Sequence, residues 1–158
     1  MKFPLISFFL LLSQFSFIQE IDCPVENGVI YYNESYEFRT KRDCWNIYKG
    51  SNPSKSTDVH SEKPNSVISV TEGKIQKILT IDKLITVLVR RGDNEFYVYS
   101  NLNSSDLKKD DEIKIGDEIV MIDKKSEFSD YGDYVLDFQY WQKTEPIDVF
   151  DRLKCIQK

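Results

Sequence analysis

The C-terminal two-thirds of the chain repeats apolar residues at every second position and interrupts them with short turns. Ile85, Val87 and Val89 show this period, and Gly-Asp pairs at 92–93 and 116–117 mark reversals. Successive side chains of a β-strand point to opposite faces, so a period of two predicts strands with one buried face. Gly and Asp at the reversals are typical of tight hairpin turns. The pattern therefore predicts an all-β protein built from hairpins, with no long helix.

The length and the net charge of the chain indicate the number of domains and exclude one class of ligand. At 158 residues the chain is long enough for one domain with its own core. Its net charge at pH 7 is -5, with acidic and basic residues mixed along the chain. A protein that neutralises many phosphates needs a broad basic face, which this composition does not provide. Nucleic-acid binding is therefore not expected.

The N-terminus has the pattern of an export signal. Lys2 supplies a positive start, and the apolar run LISFFLLL at 5–12 is too short to span a bilayer. These features predict a signal peptide over residues 1–19, a secreted or periplasmic protein, and no transmembrane anchor after cleavage. Residues 20–57 are interrupted by Asn, Ser, Gly and Pro, which are typical of turns and loops. We interpret this segment as an irregular leader, and residues 58–154 as the β domain.

The chain contains three cysteines, Cys23, Cys44 and Cys155. An odd number in an exported protein predicts one disulfide and one further thiol. Their wide spacing excludes a CxxC metal or redox motif. The sequence leaves the pairing open. We consider Cys44 and Cys155 as the candidate pair, since a bond closing so long a loop would stabilise the domain by about 2–4 kcal/mol.

Four segments of the β domain carry short motifs in a defined order. Residues 58–75 begin with an aspartate ahead of the first core strand, and residues 85–102 end in Tyr-Ser-Asn-Leu. Residues 107–122 contain a lysine- and aspartate-rich turn, and residues 135–141 have the sequence VLDFQYW. In this order and spacing the segments resemble the lysostaphin/LytM-type peptidoglycan endopeptidases. The resemblance implies a duplicated hybrid motif fold, a sandwich or barrel of β-hairpins, over residues 58–154.

The same resemblance shows where the chain departs from an active enzyme. In that family, zinc is held by a His-x-x-x-Asp motif and by the second His of His-x-His-Phe, and the His of Tyr-x-His-Leu lies beside the metal. Here Asp58 occupies the aspartate position, whereas Ser54, Asn101, Val135 and Asp137 stand where histidines belong. Zinc hydrolysis of an amide requires three protein ligands and a group that moves protons. The resemblance therefore implies a domain without catalytic residues and without a cofactor.

Two other classes stay open. His60, the one histidine in the chain, lies two residues after Asp58, so both would share one face of a strand. Together with Asp137 they form the candidate zinc set of an active metalloendopeptidase with a rearranged site. The third class is a carrier or phosphotransfer domain. A carrier needs a lysine beside Met at a hairpin tip, to which Lys124 and Met121 correspond only loosely, and phosphotransfer needs paired histidines.

The leading interpretation is an exported, non-catalytic domain of the lysostaphin/LytM type. It would act at the cell envelope by binding peptidoglycan or a cell-wall hydrolase. The cleft that holds substrate in the endopeptidases would bind its ligand through hydrogen bonds and aromatic contacts instead. The residues expected to line this cleft are Asp58, Tyr99, Asn101, Asp137 and Gln139.

Overall fold

A computed structural model describes residues 19–34, 56–81, 83–103, 105–122 and 134–158. The predicted signal peptide, apart from its last residue, lies outside these ranges, as do Cys44 and Ser54. Within the described ranges no helix combines the length and the apolar character needed to cross a lipid bilayer.

The regular secondary structure of the described residues is almost entirely β-strand, which confirms the all-β prediction. One turn of 3-10 helix, Tyr32–Glu34, follows the first strand. The strands are β1 (Val29–Ile30), β2 (Thr57–Ser61), β3 (Asn65–Ile68), β4 (Gly73–Ile81), β5 (Leu84–Arg91), β6 (Glu95–Leu102), β7 (Glu112–Ile113), β8 (Glu118–Ile122), β9 (Tyr134–Gln142), β10 (Glu145–Ile147) and β11 (Ile156–Gln157).

Nine of the described strands form one large sheet. Its order is β11-β1-β2-β9-β6-β5-β4-β7, and β10 pairs with β9 as a short hairpin. The remaining two strands, β3 and β8, form a separate antiparallel pair. Strand β9 lies between β2 and β6, so it joins the start of the β domain to its central hairpins. This arrangement places the first, second and last of the sequence motifs on three adjacent strands.

Tight turns between the central strands use the residues that the sequence pattern indicated. Gly92 connects β5 to β6 with φ +61°, and Gly116 connects β7 to β8 with φ +87°. Side chains with a Cβ rarely adopt these left-handed conformations, whereas glycine does so at little cost. Asp117 supports the second turn by accepting a hydrogen bond from the Lys114 backbone N–H at 2.8 Å. Both predicted reversals are therefore confirmed.

The hydrophobic core lies on one side of the large sheet, where the β3–β8 pair and both ends of the described chain cover it. Alternate residues of β6 and β9 supply its largest side chains, including Tyr99, Phe138 and Leu136, which are fully buried. The Tyr99 and Phe138 rings meet edge to face with centroids 5.3 Å apart. The Tyr99 hydroxyl accepts a hydrogen bond from the Val70 backbone N–H at 3.0 Å, which ties the sheet to the loop after β3.

The two ends of the described chain are joined at the edge of the sheet. Strand β1 pairs with β2 on one side and with β11 on the other. A disulfide connects Cys23 to Cys155, 132 positions apart in the sequence. This finding corrects the candidate pairing of Cys155 with Cys44. Gly28 lies against the bond, because an added Cβ would come within 2.9 Å of the Cys23 sulfur and 2.7 Å of Val59.

Candidate functional site on the open face of the sheet

The face of the large sheet opposite the core carries most of the residues singled out by the sequence motifs. On β9 the buried residues Leu136, Phe138 and Tyr140 alternate with Asp137 and Gln139, which are half-buried. Because alternate residues of a strand point to opposite faces, Asp137 and Gln139 lie on the side away from the core. We call this side of β2, β9, β6, β5 and β4 the cleft face.

A row of polar residues crosses the cleft face from strand to strand. Asp58 on β2 lies directly opposite Asp137 on β9, and Asp137 lies opposite Ser100 on β6. The Thr86 hydroxyl on β5 donates a hydrogen bond to the Ser100 hydroxyl at 3.1 Å. Directly opposed side chains on antiparallel strands have Cβ atoms about 4.5–5.5 Å apart, close enough to interact. The fold therefore brings together two carboxylates that are far apart in the sequence.

A chain of side-chain hydrogen bonds runs along β9 from this row. The Gln139 amide donates from Nε2 to Asp137 Oδ1 at 3.2 Å, and its oxygen accepts from the Trp141 indole Nε1 at 2.9 Å. Residues two apart on a strand share a face, which allows each side chain to reach the next. The Gln139 amide thus has both ends engaged, and it holds the Trp141 ring in one orientation on the cleft face.

An open groove of about 350 Å³ lies beside this hydrogen-bonded chain. Its walls are mostly apolar, and its polar groups are the amide of Gln139 and the ammonium of Lys143. Ligand sites are commonly concave and apolar with a few polar groups that fix orientation, and this volume is at the small end of that range. The groove is lined by Leu88, Phe96, Val98, Gln139, Trp141 and Lys143.

His60 lies further along the same face, but it is closed off from solvent. Only 2% of its surface is exposed. Its Nε2 is 2.5 Å from a Glu34 carboxylate oxygen, and the Tyr31 ring packs edge-on against the imidazole with centroids 5.0 Å apart. Val135, which stands at a histidine position of the endopeptidase motif, pairs with His60 and is also buried. The N-terminal segment therefore covers this end of the cleft face.

Two residues expected in the cleft have a different environment from the others. Tyr99 does not line the cleft: it points into the core and is fully buried, and this burial raises the pKa of its hydroxyl. Asn101 has a left-handed backbone with φ 65°, beside an irregularity in the pairing of β5 and β6. Asparagine adopts this conformation more readily than most residues do. The structure thus places Asp58, Asp137 and Gln139 on the cleft face, while Tyr99 belongs to the other side.

The residues at the motif positions do not fit a zinc centre. Among the described residues no group of three His, Cys, Asp or Glu side chains converges as metal ligands would. The candidate set of Asp58, His60 and Asp137 shares a face, yet His60 Nε2 is held by Glu34. Val135 supplies no ligand atom. Catalytic zinc needs three such groups around an open position, so no metal-dependent step is assigned to this site.

The apolar half of the cleft face was not expected from the sequence motifs. Phe96 and Val98 alternate with Tyr97 and Tyr99, and only one of these two sets can face the groove. The period of two was visible, but the motif comparison drew attention to Tyr99 and so to the wrong set. The residues that alternate with the core positions can instead be counted from Asp137 on β9 and then followed to their partners on β6. This count identifies Phe96, Val98 and Trp141.

Comparison of the whole fold with solved structures places it among known architectures. The chain is similar to a chain of the SpoIIQ-SpoIIIAH pore forming complex, with a TM-score of 0.67 and 18% identity over 86% of this chain and 92% of that one. A zinc containing peptidase from Vibrio cholerae gives a TM-score of 0.64 and 17% identity, over 82% of this chain and 39% of that one. LytU gives 0.52 and 18%, over 66% and 77%.

These similarities confirm the predicted fold of the lysostaphin/LytM type. No protein-family model and no curated protein sequence matches the chain. The solved structures include both a peptidase and a protein complex, so the fold by itself is compatible with either role. Function must therefore be argued from the residues of the cleft face.

Proposed function

We propose that this chain is an exported, non-catalytic domain of the lysostaphin/LytM type that acts at the cell envelope. It binds peptidoglycan or a cell-wall hydrolase through the cleft face. The observation that carries the proposal is the groove beside Asp137, Gln139 and Trp141, in which an indole fixed by hydrogen bonds stands next to apolar side chains. Such a surface can hold a ligand without any group that would cleave it.

Binding is favoured over hydrolysis because of what stands at the histidine positions. Val135 is buried and has no atom that coordinates a metal or moves a proton, and Asn101 cannot act as a base. His60 is engaged with Glu34 instead. The proposed function therefore requires no zinc. The contrary function, a metalloendopeptidase that uses Asp58, His60 and Asp137, would have to bind its metal through Nδ1 of His60, because Nε2 is engaged with Glu34.

An envelope location is supported by the Cys23–Cys155 bond, because disulfides persist in oxidising compartments. The similar chain from the SpoIIQ-SpoIIIAH complex belongs to a protein that assembles with another protein. That likeness extends over nearly the full length of both chains, and it supports a partner-binding role for the fold.

The experiment is a sedimentation assay with purified, insoluble peptidoglycan sacculi and the oxidised protein. A parallel arm uses a purified cell-wall amidase coupled to beads. Replacing the indole wall by Trp141→Ala should reduce retention at least tenfold in the arm that holds the true ligand. Met121→Ala is the matched control, since Met121 is 49% exposed on β8, away from the groove. This control should be retained like the parent protein.

Two results would contradict the proposal. The first is no retention of the parent protein in either arm. The second is release of soluble fragments from dye-labelled sacculi that stops on addition of a chelator, together with a stoichiometric transition metal in the purified protein. The second result would establish the metalloendopeptidase instead.

A further inference from the structure

The outer edge of β4 is open over most of its length. Strand β7 and the residues before it pair with β4 only as far as Ile75, which donates its backbone N–H to the Asp111 carbonyl at 2.9 Å. From position 76 to position 80, no residue that the structure describes pairs with β4 on this side. The opposite edge of the same sheet ends in β11, which is two residues long. A long edge with unpaired backbone groups is a template for a further strand.

The pairing of β4 with β5 fixes which of its backbone groups point outward. Two residues separate the strands, so Ile81 and Leu84, which flank this turn, form a hydrogen-bonded pair. Hydrogen-bonded pairs alternate with non-hydrogen-bonded pairs along an antiparallel ladder, so Leu79 also directs its backbone groups to β5. The N–H and C=O groups of Ile78 and Thr80 therefore point to the open edge.

An exposed apolar side chain accompanies these backbone groups. Ile78 is half-buried against the core, so Leu79 lies on the cleft face, where it is 36% exposed. Thr80 is exposed as well. The pairing with β5 is regular from Lys77 onward, beyond the irregularity that follows Ile75. The stretch after Lys77 thus combines a regular backbone, an open edge and an exposed leucine.

A second copy of the same edge complements this stretch. Antiparallel pairing about a twofold axis at Leu79 places Ile78 opposite Thr80 of the second copy, and Thr80 opposite Ile78 of the second copy. Both pairs then exchange backbone hydrogen bonds. The two Leu79 residues form the close, non-hydrogen-bonded pair at the axis, with Cα atoms about 4.5 Å apart, so their side chains shield each other from water. The two Lys77 residues lie about 13 Å apart along the strands, so these like charges do not face each other.

We propose that the protein self-associates through the open edge of β4, as a symmetric pair in which the two large sheets become one. The twofold axis at Leu79 stands perpendicular to the sheet, so the cleft faces of both copies lie on the same side and present two grooves. Pairing of about five residues from each copy is small for an interface, so the association is weak and reversible. This self-association goes beyond the proposed function and does not depend on it.

The test is sedimentation equilibrium of the oxidised protein, after removal of the predicted signal peptide. A reversible monomer–dimer equilibrium is expected between about 10 µM and about 1 mM, the range of weak association. Leu79→Lys places two ammonium groups at the axis and should raise the dissociation constant about tenfold or more. Met121→Lys is the matched control, because Met121 is an exposed apolar residue on β8, away from this edge. It should associate like the parent protein.

A cysteine at the axis tests the register of the pairing. A Cys44→Ser background leaves only the two cysteines of the Cys23–Cys155 disulfide. In this background Leu79→Cys should form a disulfide-linked dimer on mild oxidation, because Cβ atoms of a non-hydrogen-bonded pair are close enough for the bond. Lys77→Cys is the matched control, and it should stay monomeric on a non-reducing gel, since its two thiols would lie about 13 Å apart along the strands.

The backbone contribution is tested by Thr80→Pro. This change removes one outward N–H and leaves the hydrogen bonds to β5 in place, so it should weaken the association without unfolding the domain. Circular dichroism establishes that each variant is folded before its association is measured. Should Leu79→Lys or Thr80→Pro fail to fold, the comparison of the two cysteine variants decides.

Three results overturn the inference. The first is a parent protein that stays monomeric up to about 1 mM. The second is a dimer whose dissociation constant neither Leu79→Lys nor Thr80→Pro changes, because the contact would then lie elsewhere. The third is crosslinking of Lys77→Cys as readily as Leu79→Cys, which excludes a twofold axis at Leu79.

Discussion

The two faces of strands β6 and β9 are built from alternate residues of the same short segments, yet they have opposite roles. Tyr99 and Phe138 point to the core and are fully buried. Their immediate neighbours Val98 and Gln139 lie side by side on the cleft face and line an open groove. One set stabilises the fold through burial, whereas the other places mostly apolar side chains on the wall of an open groove. Neighbouring motif residues therefore have separate physical tasks.

The same division separates the residues that the fold requires from those that the cleft face presents. Among the residues that the structure describes, the core is formed by aromatic and aliphatic side chains, whose burial stabilises the fold. Substitutions on the cleft face alter what that face can bind or catalyse and leave the core packing in place. The fold of this domain is therefore expected to tolerate substitutions at exposed positions of the cleft face.

The largest expected effect is on the free energy of unfolding, and it distinguishes the core face from the cleft face. Phe138→Ala removes a fully buried ring and should lower the free energy of unfolding by about 3–5 kcal/mol. Phe96→Ala removes the same ring from the half-buried cleft side and should cost at most about 2 kcal/mol. Guanidinium denaturation of both variants is the measurement. Equal losses would show that the cleft face is as much a part of the core as the opposite side.

Removing the disulfide at the sheet edge should destabilise the whole domain, so it serves as a reference for the variants on each face. Cys23→Ser/Cys155→Ser opens a loop spanning 132 positions and should lower the free energy of unfolding by about 2–5 kcal/mol. The parent protein in reducing agent is the control, and it should reach the stability of the double variant. A double variant as stable as the oxidised parent would contradict this role of the bond.

Alkaline pH should lower the stability of the protein through the buried tyrosines of the core face. Burial raises the pKa of Tyr140 to about 12, with Tyr97 and Glu95 adding to the effect, and burial also raises the pKa of Tyr99. An unfolded tyrosine titrates near pH 10, so between about pH 10 and 12 the unfolded chain loses protons that the folded protein keeps. Stability is therefore complete below about pH 10 and falls as the pH rises towards 12.

The check is the denaturation midpoint measured at intervals from pH 8 to pH 12. Tyr140→Phe removes one of the titrating groups and should make the fall shallower. Met121→Ala is the control, because Met121 is 49% exposed and carries no titrating group, so it should leave the slope of the parent protein unchanged. A slope that Tyr140→Phe does not alter would mean that the alkaline loss arises elsewhere.

The smallest expected effect tests the polar row of the cleft face. Ser100→Ala removes the acceptor of the Thr86 hydroxyl at a half-buried position, and should cost no more than about 1 kcal/mol. Thr86→Val and the double variant complete a cycle that isolates the pair. A coupling above about 2 kcal/mol would show that the row stabilises the fold, contrary to the contrast between the faces.

Much of the fold could be predicted from the sequence, because the sequence patterns that indicate strands and turns are local. The period of two in β5 and β9 and the Gly-Asp reversals predicted strands and turns that the structure contains. The order of the motifs predicted the lysostaphin/LytM-type architecture that the similar structures confirm. Of the residues expected in the cleft, Asp58, Asp137 and Gln139 lie on the side of the sheet away from the core, whereas Tyr99 points into the core. Ligand binding by these residues stays a prediction.

By itself, then, the sequence determined the strands, the turns and the replacement of histidines at the motif positions, since each depends on residue type and near spacing. Only the tertiary structure decided that Cys23 is the partner of Cys155, that Glu34 contacts His60, and that Asp58 faces Asp137. These contacts join segments far apart in the chain. Their formation depends on how the whole sheet assembles, and that assembly is what creates the groove.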